Sequence, residues 1–312
     1  MEAIELKILN YNYRGLERVG MYVGDKISHL SRLAGLLGRP DLAVPSIIEI
    51  MRNWDNISSD LESLLKEAEN NTDKIKSILM NPEDVEFLPP ITNPPKNIMC
   101  MGLNYKDHVE EGLKAKDVRP QKMELDEPIF FTKSPSTLIG HDVNFPMIST
   151  SEKLDYEGEL AFVIGKSGKN IPKDKVYGHI FGYCCSNDLC ARDIQRRHKQ
   201  LFKGKTLDFT CPIGPYLVPK EFYQDPMNAS IKTWVNGEIR QESNTKMMIH
   251  DIPSIVSVLS EDFTLEVGDI IMTGTPSGVG YARDVPSFLK PGDVVEVEVE
   301  NLGRLRTEVV EN

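Results

Sequence analysis

Short apolar runs separated by glycine and proline turns fill the chain from about residue 95 onwards, and they constrain the fold more than any other feature. Examples are NIMCMGLNY, PIFFTK, ELAFVIGK, HIFGYCCSND, SIKTWVNGEI and DVVEVEVENLGRLRTEVV. Short runs of this kind, bounded by turn residues, are typical of strands. Helical patterns are fewer, and the clearest are KMMIHDIPSIVSVLSED and CARDIQRRHKQLF. We therefore predict an α+β domain built on a mixed sheet.

The N-terminal part of the chain has a different pattern and predicts a small α+β domain of its own. RVGMYVGDKISHLSRLAGLLG is typical of a hairpin followed by a short helix. Apolar residues recur at helical spacing between Pro45 and Glu69, with a break predicted at DNISSD, residues 55–60. Five prolines then fall within residues 81–97, a composition that favours a semi-rigid linker. The sequence thus predicts two domains, 1–90 and 91–312.

Charge and composition exclude several classes of partner. The net charge is -11, with 47 acidic against 36 basic residues, which argues against nucleic acid as a ligand. The N-terminus has scattered charges and no secretory signal, and no run of 18 apolar residues predicts a membrane span. The five cysteines lack a C-x-x-C pair, so we expect buried, reduced thiols. We predict a cytoplasmic protein.

Three carboxylates alternate along the segment KLDYEGELAFVIGK, namely Asp155, Glu157 and Glu159. Alternate residues of a strand share a face, and like charges this close repel unless a cation lies between them. Asp188 follows the next apolar run, where a strand is predicted to end. Such carboxylates could surround a divalent cation with hard oxygen ligands, which suits Mg²⁺, Mn²⁺ or Ca²⁺ rather than zinc. The alternative is the solvated face of a half-exposed strand.

The segment GLNYKDHVEEG offers a candidate acid–base pair. If the residues after Tyr105 are helical, His108 and Glu111 share a face, and the carboxylate can orient the imidazole. An imidazole held in this way is a common general base. The alternative is an exposed pair on a charged helix.

The glycine-rich segment GDIIMTGTPSGVG, residues 268–280, allows backbone amides to approach an anion closely. It lacks the lysine of a P-loop and the G-x-G-x-x-G pattern, which argues against a nucleotide site. A turn that holds a substrate carboxylate and a purely structural turn both remain open. Lys205 lies in a predicted loop, where it could meet an anion or only solvent.

Seven segments, taken in order, resemble the fumarylacetoacetate hydrolase family, in its class of small acylpyruvase, decarboxylase and isomerase members. They are GLNYKDH, PIFFTKSPSTLIGH, LDYEGELAFVIGK, GYCCSNDLCARDIQ, KTLDFTCPIGPYLV, VNGEIRQESNT and GDIIMTGTPSGVG. The resemblance spans roughly residues 95–310 and leaves residues 1–90 outside it. It implies the family's mixed β-roll, with a metal ion in a cleft at one end, and it implies a homodimer.

The resemblance also implies roles for individual residues. Glu157, Glu159 and Asp188 correspond to the metal ligands, and His108 with Glu111 corresponds to the water-activating pair. Lys205 matches a lysine near the metal. Arg192 and Gln195 match positions that line the pocket. Thr275 matches the residue that meets the substrate's carboxylate end.

Two other residues of the same motif carry expectations. Asp155 is not expected to be a ligand, and we expect it to position the end of the strand. Gly158 stands where a larger apolar residue is frequent, so we expect it to widen the pocket.

These expectations predict a metal-dependent enzyme that hydrolyses a carbon–carbon bond in a small 2-oxo or 1,3-dicarbonyl acid. A cation bound to the substrate oxygens would stabilise the enolate that forms when the bond breaks, while His108 takes a proton from water. An oxaloacetate-type decarboxylase and a hydroxymuconate-type isomerase use the same enolate and are alternatives. A metal-holding scaffold without catalysis is an alternative of a different class.

Overall fold

The structure, a computed structural model, describes residues 5–114 and 126–312. Its N-terminal part contains the strands β1 (Ile8–Tyr13), β2 (Leu16–Val23), β3 (Lys26–His29), β4 (Leu79–Met80) and β5 (Glu86–Leu88). The helices of this part are α1 (Leu30–Leu36), α2 (Ile47–Arg52), α3 (Trp54–Asn70) and α4 (Thr72–Ile75).

The remaining chain is rich in strands. They are β6 (Ile98–Gly102), β7 (Ile129–Lys133), β8 (Leu138–Ile139), β9 (Phe145–Pro146), β10 (Leu154–Asp155), β11 (Gly158–Ile164), β12 (Ile180–Asn187), β13 (Cys190–Ala191), β14 (Cys211–Pro219), β15 (Ser230–Val235), β16 (Glu238–Asn244), β17 (Ile270–Met272), β18 (Val294–Val299) and β19 (Arg304–Val310). The helices are α5 (Lys106–Lys114), α6 (Arg192–His198), α7 (Leu201–Lys205) and α8 (Ile252–Leu259).

Two large sheets organise these elements. The first has 12 strands, in the main order β4-β3-β2-β1-β14-β12-β11-β17-β6-β7, with β5 beside β1 and β8 beside β14. The second has five strands, in the order β16-β15-β18-β19-β9. Strand β11 pairs antiparallel with β12 and β17, and every one of its residues is buried. The predicted α+β fold is confirmed, and its central strand is enclosed on both faces.

The N-terminal strands continue the first sheet. Strand β1 pairs with β14 at Ile8 and Leu217, and β5 pairs with residues 10–12 of β1 on the same edge, because β2 occupies the other edge. The proline-rich segment 81–97 therefore contains a short paired strand at 86–88 and is more than a linker. The division into domains at residue 90 stays a prediction.

The helical segment after Pro45 is divided at a different place from the one predicted. Helix α3 runs without interruption through residues 55–60, so the break predicted there is wrong. The break lies at Asn53, whose side chain donates a hydrogen bond to the carbonyl of Glu49 and closes α2. The polar residues of 55–60 are accommodated because α3 buries only one stripe, which includes Trp54 and Leu61.

Other expectations from composition are met. The predicted hairpin and helix are formed by β2, β3 and α1. The five cysteines are free and buried, as predicted. Among the helices of residues 5–114 and 126–312, none combines the length and apolar character needed to cross a membrane.

Gly158 lies where the two large sheets approach each other. A Cβ at this position would be 2.1 Å from Oγ1 of Thr233 on β15 and 3.1 Å from Cγ1 of Val297 on β18. The expectation that Gly158 widens the pocket is therefore wrong. The missing side chain leaves room for the second sheet to pack against the first.

We expect Gly158→Ala to lower the free energy of unfolding by about 1–3 kcal/mol, because the added methyl overpacks this contact. Denaturant unfolding measures the change, and Thr233→Ala in the same chain should recover part of it by removing the clashing oxygen. Gly35→Ala in α1 is the control, since no heavy atom lies within 4 Å of the position that the added methyl would occupy and a helical alanine is favourable. If Gly35→Ala lowered the free energy of unfolding as much as Gly158→Ala, the packing argument would be refuted.

Candidate active site

The three acidic residues predicted as metal ligands lie together at the ends of two neighbouring strands. Glu157 precedes β11, Glu159 lies within it, and Asp188 follows β12, its antiparallel partner. One carboxylate oxygen from each residue lies within 4.8 Å of the others. All three side chains are buried, so the alternative of a solvated strand face does not hold.

Buried cations lie against this cluster. Nζ of Lys205 is 2.6 Å from Oε2 of Glu157 and 2.6 Å from Oδ2 of Asp188. An Nη atom of Arg192 is 2.6 Å from Oε1 of Glu157. Nζ of Lys133, the last residue of β7, is 2.7 Å from Oδ1 of Asp188. These pairs offset much of the cost of burying the carboxylates.

Two of these cations differ from the sequence-based expectation. Lys205 ends helix α7, although a loop was predicted there. Lys133 was not predicted at all, and it is fully buried. The only signal was its position as the charged last residue of the apolar run PIFFTK.

The surroundings shift the pKa values of Glu157 and Glu159 in opposite directions. Burial alone would raise the pKa of Glu157, but Lys205 and Arg192 outweigh it and lower that pKa to about 2. Burial, together with the charges of Asp188 and Glu157, raises the pKa of Glu159 well above its ordinary value. Glu159 forms no salt bridge within the parts of the chain that the structure describes, and its Oε2 accepts a 2.7 Å hydrogen bond from the amide of Gly274.

This arrangement fits a divalent cation. The donor set is three carboxylates, which Mg²⁺, Mn²⁺ and Ca²⁺ prefer as hard cations. The like charges around Glu159 repel, and added positive charge at that point would relieve the repulsion. Glu157, Glu159 and Asp188 are therefore the residues that could hold the ion.

Backbone amides of the glycine-rich segment bind the protein's own carboxylates. Besides Gly274, the amide of Gly278 donates to Oε1 of Glu111 at 2.8 Å, and the amide of Gly280 donates to Oδ1 of Asp155 at 2.7 Å. Gly278 has φ of 103°, and a Cβ there would lie 2.0 Å from a backbone oxygen. The segment therefore fixes the position of three acidic side chains, which the sequence alone did not indicate.

The predicted acid–base pair is formed on helix α5. Nδ1 of His108 is 3.3 Å from Oε2 of Glu111, whose other oxygen is held by the glycine-rich segment. His108 is only 5% exposed and lines a cavity, so the alternative of a solvent-exposed pair does not hold.

Asp155 connects two parts of the site, in line with the positioning role expected of it. Its Oδ2 accepts a 2.8 Å hydrogen bond from Nε of Arg192, and its Oδ1 accepts the bond from Gly280. The guanidinium of Arg192 lies over the ring of Tyr281 at 4.4 Å. Asp155 is not one of the three residues whose carboxylates could hold a metal ion.

Thr275 has contacts that the sequence did not predict. Its hydroxyl donates to the carbonyl of Gly158 at 2.9 Å and accepts from Nε2 of Gln241 at 2.8 Å. Gln241 is buried and also accepts from the amide of Gly158 at 2.9 Å. Thr275 lines the cavity, but its hydroxyl hydrogen is already used within the protein.

One cavity of about 390 Å³ brings most of the predicted residues together. Its polar lining includes His108, Glu157, Arg192, Gln195, Lys205 and Thr275. Its apolar lining includes Met101, Leu103, Ile129, Phe131, Leu201 and Tyr281. None of residues 5–100 borders it. Glu157, from the acidic cluster that could hold a cation, and His108, from the predicted acid–base pair, thus line one cavity, which makes it the candidate active site.

Residues 97–310 match the family profile described as fumarylacetoacetate (FAA) hydrolase C-terminal. The chain belongs to the fumarylacetoacetate hydrolase family, as its sequence predicted. The match covers the cavity, the acidic cluster and the acid–base pair.

The chain also resembles characterised and solved proteins over most of its length. It is 41% identical to oxaloacetate tautomerase YisK of Bacillus subtilis, over 93% of this chain and 95% of that protein. The solved fumarylacetoacetate hydrolase of Exiguobacterium antarcticum has a TM-score of 0.80 and 32% identity, covering 98% of this chain and 100% of its own. A 5-carboxymethyl-2-hydroxymuconate delta-isomerase of Mycobacterium smegmatis has a TM-score of 0.63 and 34% identity, covering 75% and 83%.

We expect the affinity for Mn²⁺ to rise with pH. The raised pKa of Glu159 favours its protonated form in the metal-free protein, and that proton must leave before the carboxylate can bind the ion, whereas the pKa of Glu157 is lowered to about 2. Calorimetric titration in buffers of different ionisation enthalpy measures the released proton. Glu159→Gln should weaken binding by at least about 100-fold and abolish the proton release. Affinity independent of pH in the unmutated protein would contradict this assignment.

We expect Lys133→Met to destabilise the metal-free protein by about 1–3 kcal/mol, because it removes one of the two buried ammonium groups that pair with Asp188 and leaves Oδ1 of that carboxylate without its ionic partner. A divalent cation supplies positive charge at the same carboxylate, so Mg²⁺ should raise the melting temperature of this variant more than that of the unmutated protein. Thermal unfolding with and without Mg²⁺ tests this. An equal or smaller shift in Lys133→Met would show that Asp188 does not bind the ion.

Proposed function

We propose that this enzyme interconverts the keto and enol forms of a small 2-oxo dicarboxylic acid of the oxaloacetate type, with a divalent cation bound by Glu157, Glu159 and Asp188. The observation that carries the proposal is the shared cavity, which His108 lines together with Glu157 and Lys205. The likeness to the Bacillus subtilis oxaloacetate tautomerase, over nearly the full length of both chains, supports this choice among the family's reactions.

A divalent cation at the three carboxylates would supply Lewis-acid stabilisation of the enolate oxygen. The remaining steps belong to the chain's own residues. Glu111 accepts from Nδ1 of His108, so Nε2 is the ring nitrogen left to face the substrate. Nε2 takes a proton from C3 of the keto form, and the C3–H electron pair becomes the new C2–C3 double bond.

The proton removed from C3 ends on the C2 oxygen of the substrate. The carbonyl π electrons move to the C2 oxygen, which takes the proton from His108 and leaves the imidazole neutral. The ammonium of Lys205 adds positive charge to the wall of the cavity as that oxygen becomes negative. Because only a proton moves between C3 and the oxygen, no water is consumed and no carbon–carbon bond breaks.

Hydrolysis of a carbon–carbon bond in an acylpyruvate is the second candidate. It is favoured by the pair of His108 and Glu111, which could remove a proton from water instead of from C3. The likeness to the Exiguobacterium antarcticum hydrolase also supports it. Isomerisation of a hydroxymuconate-type acid is a further alternative, supported by the likeness to the mycobacterial delta-isomerase. Decarboxylation of oxaloacetate would use the same enolate.

Product analysis separates these reactions. Proton NMR in D₂O reports exchange at C3 of oxaloacetate, pyruvate reports decarboxylation, and an acylpyruvate yields two acids only by hydrolysis. We expect rapid keto–enol exchange in the presence of Mg²⁺ or Mn²⁺ and loss of that exchange after chelation. Hydrolysis without exchange would move the assignment to the second candidate.

We expect His108→Ala to slow the exchange by about 10² to 10⁴ fold at saturating metal, because it removes the proton-transferring group. Bound metal should be unchanged, since the three carboxylates hold the ion. Glu111→Gln should slow exchange less, because the imidazole remains. His179→Ala, at a histidine that does not line the cavity, is the control. Undiminished exchange in metal-loaded His108→Ala would exclude His108 as the base.

A further inference from the structure

Leu103, in the turn between β6 and α5, has a backbone conformation that leucine rarely adopts. Its φ is 54°, in the left-handed region, where a Cβ crowds the backbone carbonyl. Glycine takes this conformation freely, and asparagine or aspartate takes it more easily than an aliphatic residue does. A leucine held there stores backbone strain, and such strain is concentrated at functional sites.

The next residue, Asn104, holds the turn in this conformation. It is fully buried, and its Nδ2 donates hydrogen bonds to the carbonyls of His250 at 3.0 Å and Thr273 at 2.9 Å. Its Oδ1 accepts from the amide of His250 at 2.9 Å, and its backbone carbonyl accepts from the amide of Ile249 at 2.8 Å. Because these contacts fix the chain directly after Leu103, the turn cannot relax without breaking buried hydrogen bonds.

Packing of the core does not account for a leucine at this position. Leu103 is only half-buried, and it belongs to none of the three apolar clusters that form the core of residues 5–114 and 126–312. Its side chain instead lines the cavity that His108 also lines. A glycine would remove the strain without opening a hole in any of the three clusters. The leucine side chain is therefore explained by a role in the cavity.

We propose that Leu103 is a specificity-determining residue, whose side chain contacts the carbon skeleton of the bound substrate and limits the size of the 2-oxo acid that the cavity admits. The assignment rests on the proposed function, because it takes a small 2-oxo acid as the molecule in the cavity. An apolar wall of this kind discriminates by volume, since a substrate with extra carbon atoms meets the leucine methyl groups.

The test compares oxaloacetate with 3-propyloxaloacetate, which enolises at the same carbon but is larger by three carbon atoms. The measured quantity is the ratio of kcat/KM for oxaloacetate to kcat/KM for the propyl compound, from C3 proton exchange with Mg²⁺. We expect Leu103→Ala and Leu103→Gly each to lower this ratio about tenfold, because the smaller compound loses a contact and the larger one gains space. Leu103→Met should retain most of the preference because the side-chain volume is kept.

Arg14 is the matched control, since its φ is also 54° but it is exposed in the hairpin between β1 and β2 and does not line the cavity. At both positions the glycine variant should melt about 1–3 °C above the alanine variant, because glycine takes the left-handed conformation without strain. Arg14→Gly and Arg14→Ala should leave the kinetic ratio unchanged.

A purely structural role for Leu103 would affect both compounds equally. An unchanged ratio in Leu103→Ala and Leu103→Gly would therefore overturn the proposal, as would a higher melting temperature for Leu103→Ala than for Leu103→Gly. If the unmutated enzyme exchanges neither compound, the proposed function itself fails, which is a distinct result.

Discussion

The ammonium of Lys205 lies between Glu157 and Asp188, and the site is arranged around this buried interaction. Charges removed from water are costly unless each has partners, so the fold must bring matched groups to one point. Strand β11 and the residues that adjoin β11 and β12 supply the carboxylates, while helices α6 and α7 and strand β7 supply the cations. Of the three clustered carboxylates, Glu159 alone forms no ion pair with the residues described, and a metal ion bound there would complete the balance of charge.

The glycine-rich segment couples this cluster to the acid–base pair. Its amides bind Glu159, Glu111 and Asp155, so one short stretch of backbone orients a proposed metal ligand, the partner of His108 and the partner of Arg192. Two of these glycines, Gly278 and Gly280, lie so close to a neighbouring carbonyl oxygen that a side chain at either position would collide with it. The distances within the active site therefore depend on backbone geometry as much as on the catalytic side chains.

Much of the candidate site could be predicted from the sequence, because the residue spacings that indicate it are local. Alternation placed Glu157 and Glu159 together, and helical spacing paired His108 with Glu111. Lys133 and Gln241 were missed, because their contacts span 55 residues to Asp188 and 34 residues to Thr275 along the chain. Gly158 was misinterpreted for the same reason, since its neighbour Thr233 belongs to another sheet. The helix break was predicted at residues 55–60 because those residues are polar, whereas the side-chain contact of Asn53 with Glu49 ends the helix earlier.

The central claim is that Glu157, Glu159 and Asp188 bind the divalent cation on which the reaction depends. Anomalous diffraction from crystals grown with Mn²⁺ tests it most directly, because it locates the ion itself. We predict one strong anomalous peak per chain in contact with oxygens of all three residues, and no peak there in Glu159→Gln. A peak bound by other residues, or no peak at a Mn²⁺ concentration that supports full activity, would contradict the account.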